Sequence, residues 1–240
     1  MHILYVFPHP DDESFGPARG IASQVRAGHE VSLLTLTRGG ATQERHRLGL
    51  SVAEMGALRR REMDCVAEVL GLAGLTVLDL PDGGLKDLDP REVESAVSRE
   101  IARLCPDVLV TYPVHGISGF ADHLVAHAAV KRVFCGLRAT GSAPRRLAFV
   151  ALTAEQAKRA SGVHRLAAST AEEIDCIETA SAEDMERFRA ALDCYESYRR
   201  VIERTGVKST LDRRVAYEFF GEALSPPVVS LVDRMGRRRS

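Results

Sequence analysis

The sequence predicts an α/β fold: a three-layer domain on a mostly parallel β-sheet, with extra strands and a helix near the C-terminus. Short, continuously apolar stretches alternate with stretches whose apolar residues recur at helical spacing. This alternation is expected when helices cover both faces of a parallel sheet. The predicted parallel strands are residues 3–7, 31–36, 75–80 and 108–111.

The composition is typical of one globular domain. The chain has 240 residues, of which 45% are apolar and 27% charged. A formal net charge of -1 excludes an overall basic field for binding nucleic acid. No stretch approaches the roughly 18 apolar residues of a membrane span. We therefore predict a single domain over residues 1–240, with a flexible basic tail at 234–240 and neither a nucleic-acid nor a membrane partner.

Helical periodicity predicts the layers that cover the sheet. We expect a helix over residues 21–27, and a second whose apolar stripe runs from Leu58 to Leu70, with Arg59 close to its start. Asp89 before Pro90 is typical of a capped helix start. Residues 121–137 are almost uniformly apolar, which predicts a buried helix.

After residue 141 the alternation weakens. We predict short strands at residues 147–152, 163–168 and 173–177. We also predict an amphipathic helix at residues 185–195 and a short terminal helix at residues 215–223. No stretch reads as a linker. The whole chain is therefore predicted to form one Rossmann-like three-layer domain, whose C-terminal third extends one side of the sheet.

The cysteines are odd in number and widely spaced, with no CxxC pair. They are Cys65, Cys105, Cys135, Cys176 and Cys194. This pattern predicts reduced thiols in a cytoplasmic protein, rather than a disulfide framework or a thiolate zinc site.

The motif PHPDDE, residues 8–13, directly follows the first predicted strand. The carboxyl edge of such a sheet is where open α/β proteins bind ligands. Crowding Asp11 against Asp12 is unfavourable unless a cation or hydrogen-bond donors compensate the charges. A helix-capping turn is the alternative interpretation. His9, three residues before Asp12, favours a functional site.

The loop after the fourth strand brings further polar residues to the same edge. His9, Asp12 and His123 would offer two imidazoles and one carboxylate, which leave a vacant position on Zn²⁺, as in catalytic sites. The same set also suits Fe²⁺. Asp11 could then act as general base toward an activated water. His127, four residues after His123, is more typical of a core residue.

These motifs resemble the PIG-L/LmbE-like family of zinc-dependent N-deacetylases, which act on N-acetylglucosamine-type substrates. Besides PHPDDE, the resemblance covers LTRG at residues 36–39, residues 58–71, LPDGGL at 80–85 and Asp122-His123, with weaker similarity at 195–197 and 219–220. It extends over most of the chain in the same order.

The resemblance implies a role for each matching residue. It makes His9, Asp12 and His123 the zinc ligands and Asp11 the general base of acetamide hydrolysis. Asp122 would orient a neighbouring histidine. Arg59 and Asp82 would lie at the substrate pocket.

One position departs from the family pattern. The family usually reads His-Pro-Asp-His where this chain has FADH, residues 120–123. Phe120 has no donor for an oxyanion, and losing one such donor costs roughly 100- to 1,000-fold in rate. We expect His115 to take over this role, with Tyr112 as the second candidate.

Other classes of function remain open. A catalytically degenerate member of the family would still bind metal and sugar. A phosphoacceptor receiver domain would be about half this length, and a dinucleotide-binding domain would need G-x-G-x-x-G after the first strand. The acetylated substrate, the native metal and a possible homo-oligomer are not fixed by the sequence.

Overall fold

The computed structural model describes residues 1–141, 144–160 and 165–236, and within these residues it contains a seven-stranded β-sheet. The strands are β1 (His2–Phe7), β2 (Glu30–Thr37), β3 (Gly74–Leu80), β4 (Val108–Thr111), β5 (Arg146–Ala151), β6 (Cys176–Thr179) and β7 (Arg214–Phe219). Their order is β3-β2-β1-β4-β5-β7-β6. The strands from β3 to β5 are parallel, β7 runs antiparallel to β5, and β6 antiparallel to β7. The predicted α/β fold with a mostly parallel sheet is confirmed.

Helices cover both faces of this sheet. In chain order they are α1 (Ala18–Arg26), α2 (Glu44–Leu48), α3 (Val52–Leu70), α4 (Pro90–Leu104), α5 (Ala121–Ala139), α6 (Ala154–Ala160), α7 (Ala182–Cys194), α8 (Arg199–Thr205) and α9 (Val207–Thr210). Tyr5 and Phe7 of β1 pack with α1, α3 and α7, whereas Leu4 and Val6 pack with α4 and α5. Successive residues of β1 thus face opposite layers, which explains its continuously apolar sequence.

Local capping sets where α3 and α4 begin. The Ser51 hydroxyl accepts from the backbone N–H of Glu54, whose carboxylate accepts from the N–H of Ser51. At α4, the Asp89 side chain accepts from the N–H of Arg91 and Pro90 occupies the first turn. Because α3 begins at Val52, Arg59 lies two turns inside the helix, and the expectation that it lies close to the start is wrong.

The C-terminal third corrects two predictions. Residues 214–219 form strand β7, so the helix predicted over 215–223 is wrong. Val215, Tyr217 and Phe219 alternate along the strand and all enter the same core, a period-two pattern that favours β-structure. Residues 163–164 of the predicted strand lie outside the described residues, and residues 165–168 are not in a strand. Of the predicted basic tail, residues 237–240 also lie outside the described part.

A disulfide bond joins Cys65 of α3 to Cys194 at the end of α7, with Cα atoms 5.8 Å apart. The prediction of reduced thiols is therefore wrong for this pair. The two cysteines are 129 residues apart, and only the packing of α3 against α7 brings them together. Among the described residues, Cys105, Cys135 and Cys176 are in no disulfide bond. Among the described residues, no helix combines the length and apolar character that crossing a bilayer requires.

Candidate active site and metal centre

The loops that follow β1, β3 and β4 meet at the carboxyl edge of the sheet and bring the motif residues together. His9 and Asp12 lie in the turn between β1 and α1, and Asp82 follows β3. The loop after β4 ends at α5, whose first turn carries Asp122 and His123. Adjacent parallel strands thus deliver side chains that are more than 100 residues apart in the chain to one site.

Three side chains form a group that fits a divalent metal ion. The ligand atoms of His9, Asp12 and His123 all lie within 4.8 Å of one another. Nδ1 of His9 is 3.4 Å from Oδ2 of Asp12, and Nε2 of His123 is 3.4 Å from Oδ1. Two imidazole nitrogens and one carboxylate are a donor set that suits Zn²⁺ or Fe²⁺.

Neighbouring groups orient His123 toward this centre. Its Nδ1 donates to the carbonyl of Gly116 at 2.9 Å, so that Nε2 faces Asp12. Gly116 has φ +63°, and a Cβ there would meet the Cβ of His123 at 2.9 Å, so this close approach requires glycine. Tyr112 stacks on the His123 ring, with centroids 4.1 Å apart, and donates to Oδ1 of Asp12 at 2.7 Å.

Carboxylates surround the other edge of His9. Its Nε2 is 3.2 Å from Oδ2 of Asp122 and 3.3 Å from Oδ1 of Asp82. The backbone N–H groups of Gly83 and Leu85 donate to Asp122 and fix it in place. Burial alone would lower the pKa of His9, but the surrounding carboxylates outweigh it and raise the pKa to about 10. Asp122 thus lies where it orients a histidine, and that histidine is His9.

Two hydrogen bonds hold Asp11 beside the His9–Asp12–His123 group. Its φ of 86° is in the left-handed region, which is uncommon for a residue other than glycine. The Tyr195 hydroxyl accepts from its backbone N–H at 2.8 Å, and Nη2 of Arg59 donates to Oδ2 at 2.6 Å. Burial, together with the charge of Asp12, raises the pKa of Asp11 to about 6 against the lowering effect of Arg59.

Arg59 lies beneath Asp11, enclosed by aromatic rings. Only 1% of Arg59 is exposed, and its guanidinium carbon lies 4.0 Å from the centre of the Tyr198 ring. Nη2 also donates to the carbonyl of Pro10 at 2.7 Å. The structure therefore places Arg59 where it positions the PHPDDE turn, while it also lines the cavity in front of the site.

One continuous cavity of about 670 Å³ opens in front of these groups. The predicted site residues that line it are His9, Asp11, Asp12, Arg59, Asp82, Tyr112, Asp122 and His123. Phe120 also lines it, with 48% of its surface exposed and its ring edge against His123. His115 is absent from the described lining residues, because its Nδ1 accepts from the N–H of Ile117 within its own loop.

Two contributors to the site were not predicted from the sequence. The Tyr195 hydroxyl bridges the N–H of Asp11 and the buried carboxylate of Glu13, to which it donates at 2.8 Å. Residues 195–197 show weak similarity to the family, but no sequence pattern around Tyr195 indicates that its side chain contacts the PHPDDE turn after β1. Ser118 also lies near His123, with Oγ 3.1 Å from Nδ1.

The chain is similar to proteins of known activity. A 1D-myo-inositol 2-acetamido-2-deoxy-alpha-D-glucopyranoside deacetylase from Kineococcus radiotolerans is 30% identical over 167 residues, 58% of this chain and 46% of that protein. A mycothiol S-conjugate amidase from Streptomyces coelicolor is 30% identical over 162 residues, 60% of this chain and 55% of that protein. The chain thus spans about half the length of these curated relatives.

The fold itself is shared with a solved deacetylase. The crystal structure of a deacetylase from teicoplanin biosynthesis superposes with a TM-score of 0.72 over 91% of this chain and 97% of that chain, at 14% identity. The family model described as "PIG-L: GlcNAc-PI de-N-acetylase" matches residues 4–134, which is more than half of the chain. This match includes PHPDDE and Asp122-His123, and it shows that the protein belongs to the PIG-L family.

Proposed function

We propose that this protein is a metal-dependent hydrolase that removes the acetyl group from an N-acetylated small molecule of the amino-sugar type. The observation that carries the proposal is the position of Asp11, which lines the cavity next to Asp12 of the His9–Asp12–His123 group. The named activities of the relatives support it, because both break an amide bond in molecules of this general kind.

The ligands we propose for Zn²⁺ are His9, Asp12 and His123. When bound, such an ion supplies a Lewis acid for the acetamide carbonyl and lowers the pKa of a water molecule to about 7. Burial raises the pKa of Asp12, but the His123 and His9 imidazoles outweigh burial and hold it well below the usual range. Asp12 is thus a carboxylate, the form that a metal requires, and His9 would lose its proton when the metal binds.

Asp11 is the proposed general base. Arg59 binds Oδ2, so Oδ1 is the oxygen available to take the proton from the attacking water. Asp11 then gives this proton to the leaving nitrogen as the carbon–nitrogen bond breaks. The products are acetate and a free amine.

A donor for the developing oxyanion is the remaining requirement, since Phe120 cannot supply one. We propose His115 for this role, because its Nε2 is buried and has no hydrogen-bond partner among the described residues. The loop that carries it must move to bring Nε2 into the cavity. Tyr112 already lines the cavity, but its hydroxyl is engaged by Asp12.

The first test is release of free amine from N-acetylglucosamine, measured together with metal content by mass spectrometry. We expect one bound zinc ion, turnover that chelation abolishes, and a loss of at least about 100-fold in kcat for Asp11→Asn with zinc retained. Asp64→Asn, at an exposed position of α3, is the matched control. Absence of tightly held metal would contradict the assignment of His9, Asp12 and His123.

A catalytically degenerate member that binds metal and sugar is the second candidate, and Phe120 at the rim of the site favours it. It differs from the first in one measurable outcome. Bound zinc with no amine release from a panel of acetylated amino sugars, in both wild type and Phe120→His, would support the degenerate member.

We further propose a cytoplasmic location. Cys135 is an exposed free thiol, which is typical of a reducing compartment, whereas the Cys65–Cys194 disulfide bond is typical of an oxidising one. Alkylation of free thiols in intact cells, followed by mass spectrometry, measures whether the Cys65–Cys194 pair is reduced or oxidised there. A fully reduced Cys65–Cys194 pair in cells would support the cytoplasm, and a fully oxidised pair would contradict it.

A further inference from the structure

The cavity continues well beyond the metal-binding group into a region that we call the distal arm. Six apolar residues define it: Val150, Leu152, Val201, Val207, Leu211 and Val215. Strand β7 is antiparallel to β5, so it begins at the edge where β5 ends, and α8 and α9 enclose the arm from above. All the carboxylates we assign to the site, by contrast, lie at the metal end.

The volume and lining of the cavity indicate more than an acetamido sugar. A cavity of about 670 Å³ falls in the range of about 300–1,000 Å³ that encloses a drug-sized ligand. Arg204, Thr205 and Thr210 also line the cavity, but hydroxyl groups of a polyol placed in the distal arm would lose hydrogen bonds to water and meet mostly valine and leucine side chains, which is unfavourable. An apolar group would bury its surface there favourably.

A buried arginine adds a charge preference to the arm. Only 2% of Arg19 is exposed, and it lines the same cavity. Its Nη1 donates to the carbonyl of Gly16. Its Nη2 donates to the carbonyl of Arg214 at 2.9 Å. Nε has no hydrogen-bond partner among the described residues.

No described carboxylate forms an ion pair with Arg19. Asp212 acts on it only at longer range, and Asp212 is itself paired with Arg159 and Arg214. Burial lowers the pKa of Arg19 to about 10, so the guanidinium keeps its charge at neutral pH. An uncompensated buried charge is unfavourable, and a ligand anion entering the arm would be attracted through a medium of low dielectric constant.

We propose that the substrate is an N-acetylated amine whose other end is an apolar group carrying a carboxylate, with the apolar group in the distal arm and the carboxylate toward Arg19. This inference rests on the proposed deacetylase function and specifies its substrate class. It separates this protein from an enzyme that takes a polyol such as inositol in the equivalent region.

The wild-type protein tests the proposal without any substitution. We compare kcat/KM for acetate release from the methyl, phenyl, 4-carbamoylphenyl and 4-carboxyphenyl glycosides of N-acetylglucosamine. We expect the phenyl glycoside to exceed the methyl glycoside by about tenfold or more. The 4-carboxyphenyl compound should exceed the uncharged 4-carbamoylphenyl compound by a similar factor. Equal kcat/KM values for the phenyl and methyl glycosides would overturn the proposal that the distal arm binds an apolar group. Equal values for the 4-carboxyphenyl and 4-carbamoylphenyl glycosides would overturn the role of Arg19.

Substitutions then locate the effects. Leu211→Trp fills the arm and should reduce the phenyl-to-methyl ratio toward one, whereas Val229→Trp, at a position 74% exposed and outside the cavity lining, should preserve it. Arg19→Met should remove the preference for the carboxylate and Arg19→Lys should keep it. Should Arg19→Met fail to fold, the wild-type comparison of charged and uncharged substrates remains decisive.

A binding experiment separates this proposal from the proposed function. If none of the glycosides is hydrolysed, the deacetylase proposal fails, and the arm is tested alone with 4-phenylbutyrate, which has a ring and a carboxylate but no acetamide. Calorimetry should show binding to wild type and a loss of at least about tenfold in affinity for Leu211→Trp. Absence of binding to wild type, or equal affinity for both proteins, overturns the proposal.

Discussion

Asp11 shows at the scale of one residue how the site is built. Its left-handed backbone is held by the Tyr195 hydroxyl, and its carboxylate by Arg59. A non-glycine residue in this region carries strain, which persists only when its surroundings fix it. Glu13 in turn accepts from Tyr195, so the position of Asp11, the proposed general base, depends on a hydroxyl from a segment more than 180 residues away.

Removing that hydroxyl should impair catalysis more than stability. Tyr195→Phe loses both hydrogen bonds, and we expect kcat to fall about 10- to 100-fold with little change in KM, because Asp11 is displaced. Steady-state kinetics and thermal unfolding measure the two effects. Tyr5→Phe is the matched control, since its buried hydroxyl bonds to Gln24 and Tyr217 away from the site. Equal losses of kcat in the two variants would contradict this positioning role.

Phe120 is the second residue with a measurable consequence. It lies against His123 at the rim, where the family usually has a histidine donor. In a His115→Ala variant, Phe120→His should therefore raise kcat by about tenfold or more, because it supplies the oxyanion donor that we assign to His115 in wild type. Leu124→His, one turn further along α5 and also exposed, should not do so. No recovery of kcat by Phe120→His in the His115→Ala variant, with zinc content retained, would contradict the role of these two positions as oxyanion donors.

At the scale of elements, α3 and the end of α7 act as one support for the site. The disulfide Cys65–Cys194 joins them, and the N–H and hydroxyl of Ser197 both donate to Glu62 at 2.7 Å. Arg59 of α3 and Tyr195 after α7 are the two residues that hold Asp11. The relative position of these elements therefore determines the position of Asp11.

Breaking the disulfide should lower stability substantially. A bond that closes a loop of 129 residues restricts the unfolded chain, and we expect its removal to lower the free energy of unfolding by about 2–5 kcal/mol. Denaturant unfolding of Cys65→Ser, with and without reductant, measures this. Cys135→Ser, at an exposed free cysteine, is the control. If reductant destabilised wild type and Cys65→Ser alike, the effect would not come from this bond.

The added strands β6 and β7 introduce a pH dependence. Burial raises the pKa of Glu178 on β6 from 4.5 to about 7, although the Leu231 N–H and Gln24 amide that donate to it lower the pKa. Between these values the folded state keeps a proton that the unfolded state has released. Stability should therefore fall as pH rises through this window, by about 3 kcal/mol over the full shift, and remain lower above pH 7.

Glu178→Gln isolates this contribution. The free energy of unfolding of the variant minus that of wild type should increase from pH 5 to pH 8, because only wild type loses a proton at position 178. Denaturant unfolding at both pH values provides the measurement, and Glu183→Gln, in the first turn of α7, is the control. Curves for wild type and Glu178→Gln that stay parallel across this range would exclude Glu178 as the source.

At the scale of the whole molecule, the β-sheet brings the residues of the candidate site together. Neighbouring strands β1 and β4 are parallel, so their loops open at one edge, and the antiparallel β7 closes the far side of the cavity. A metal held by His9, Asp12 and His123 would thus tie the β1 turn to the start of α5. Metal binding and global stability should be coupled.

Zinc should accordingly stabilise the folded protein. At a free concentration about 100 times its dissociation constant, one bound ion adds about 2.7 kcal/mol. We expect Zn²⁺ to raise the melting temperature of wild-type protein from which metal has been removed by a chelator, and not to change that of His123→Ala. The control His46→Ala, at an exposed position of α2, should show the same increase as wild type. An equal shift in His123→Ala would place the ion elsewhere.

The sequence by itself determined the parallel half of the fold and most of the candidate site. Strands β1, β2 and β4 are buried on both faces, so their residues are mostly apolar, and proline, glycine and aspartate occur in the turns that follow the parallel strands. His9, Asp11 and Asp12 belong to one short motif, and the topology of parallel strands brings Asp122 and His123 beside them. These features depend on local patterns and on general rules of connection.

Tertiary structure alone decided the remainder. The Cys65–Cys194 bond, the contact of Tyr195 with Asp11 and the enclosure of the distal arm each join segments far apart in the chain. Residues 215–219 form a strand because β5 and β6 offer backbone partners on both sides and the core receives Val215 and Tyr217. Propensity is weak beside packing of this kind, and no local sequence pattern records which distant surface a side chain will meet.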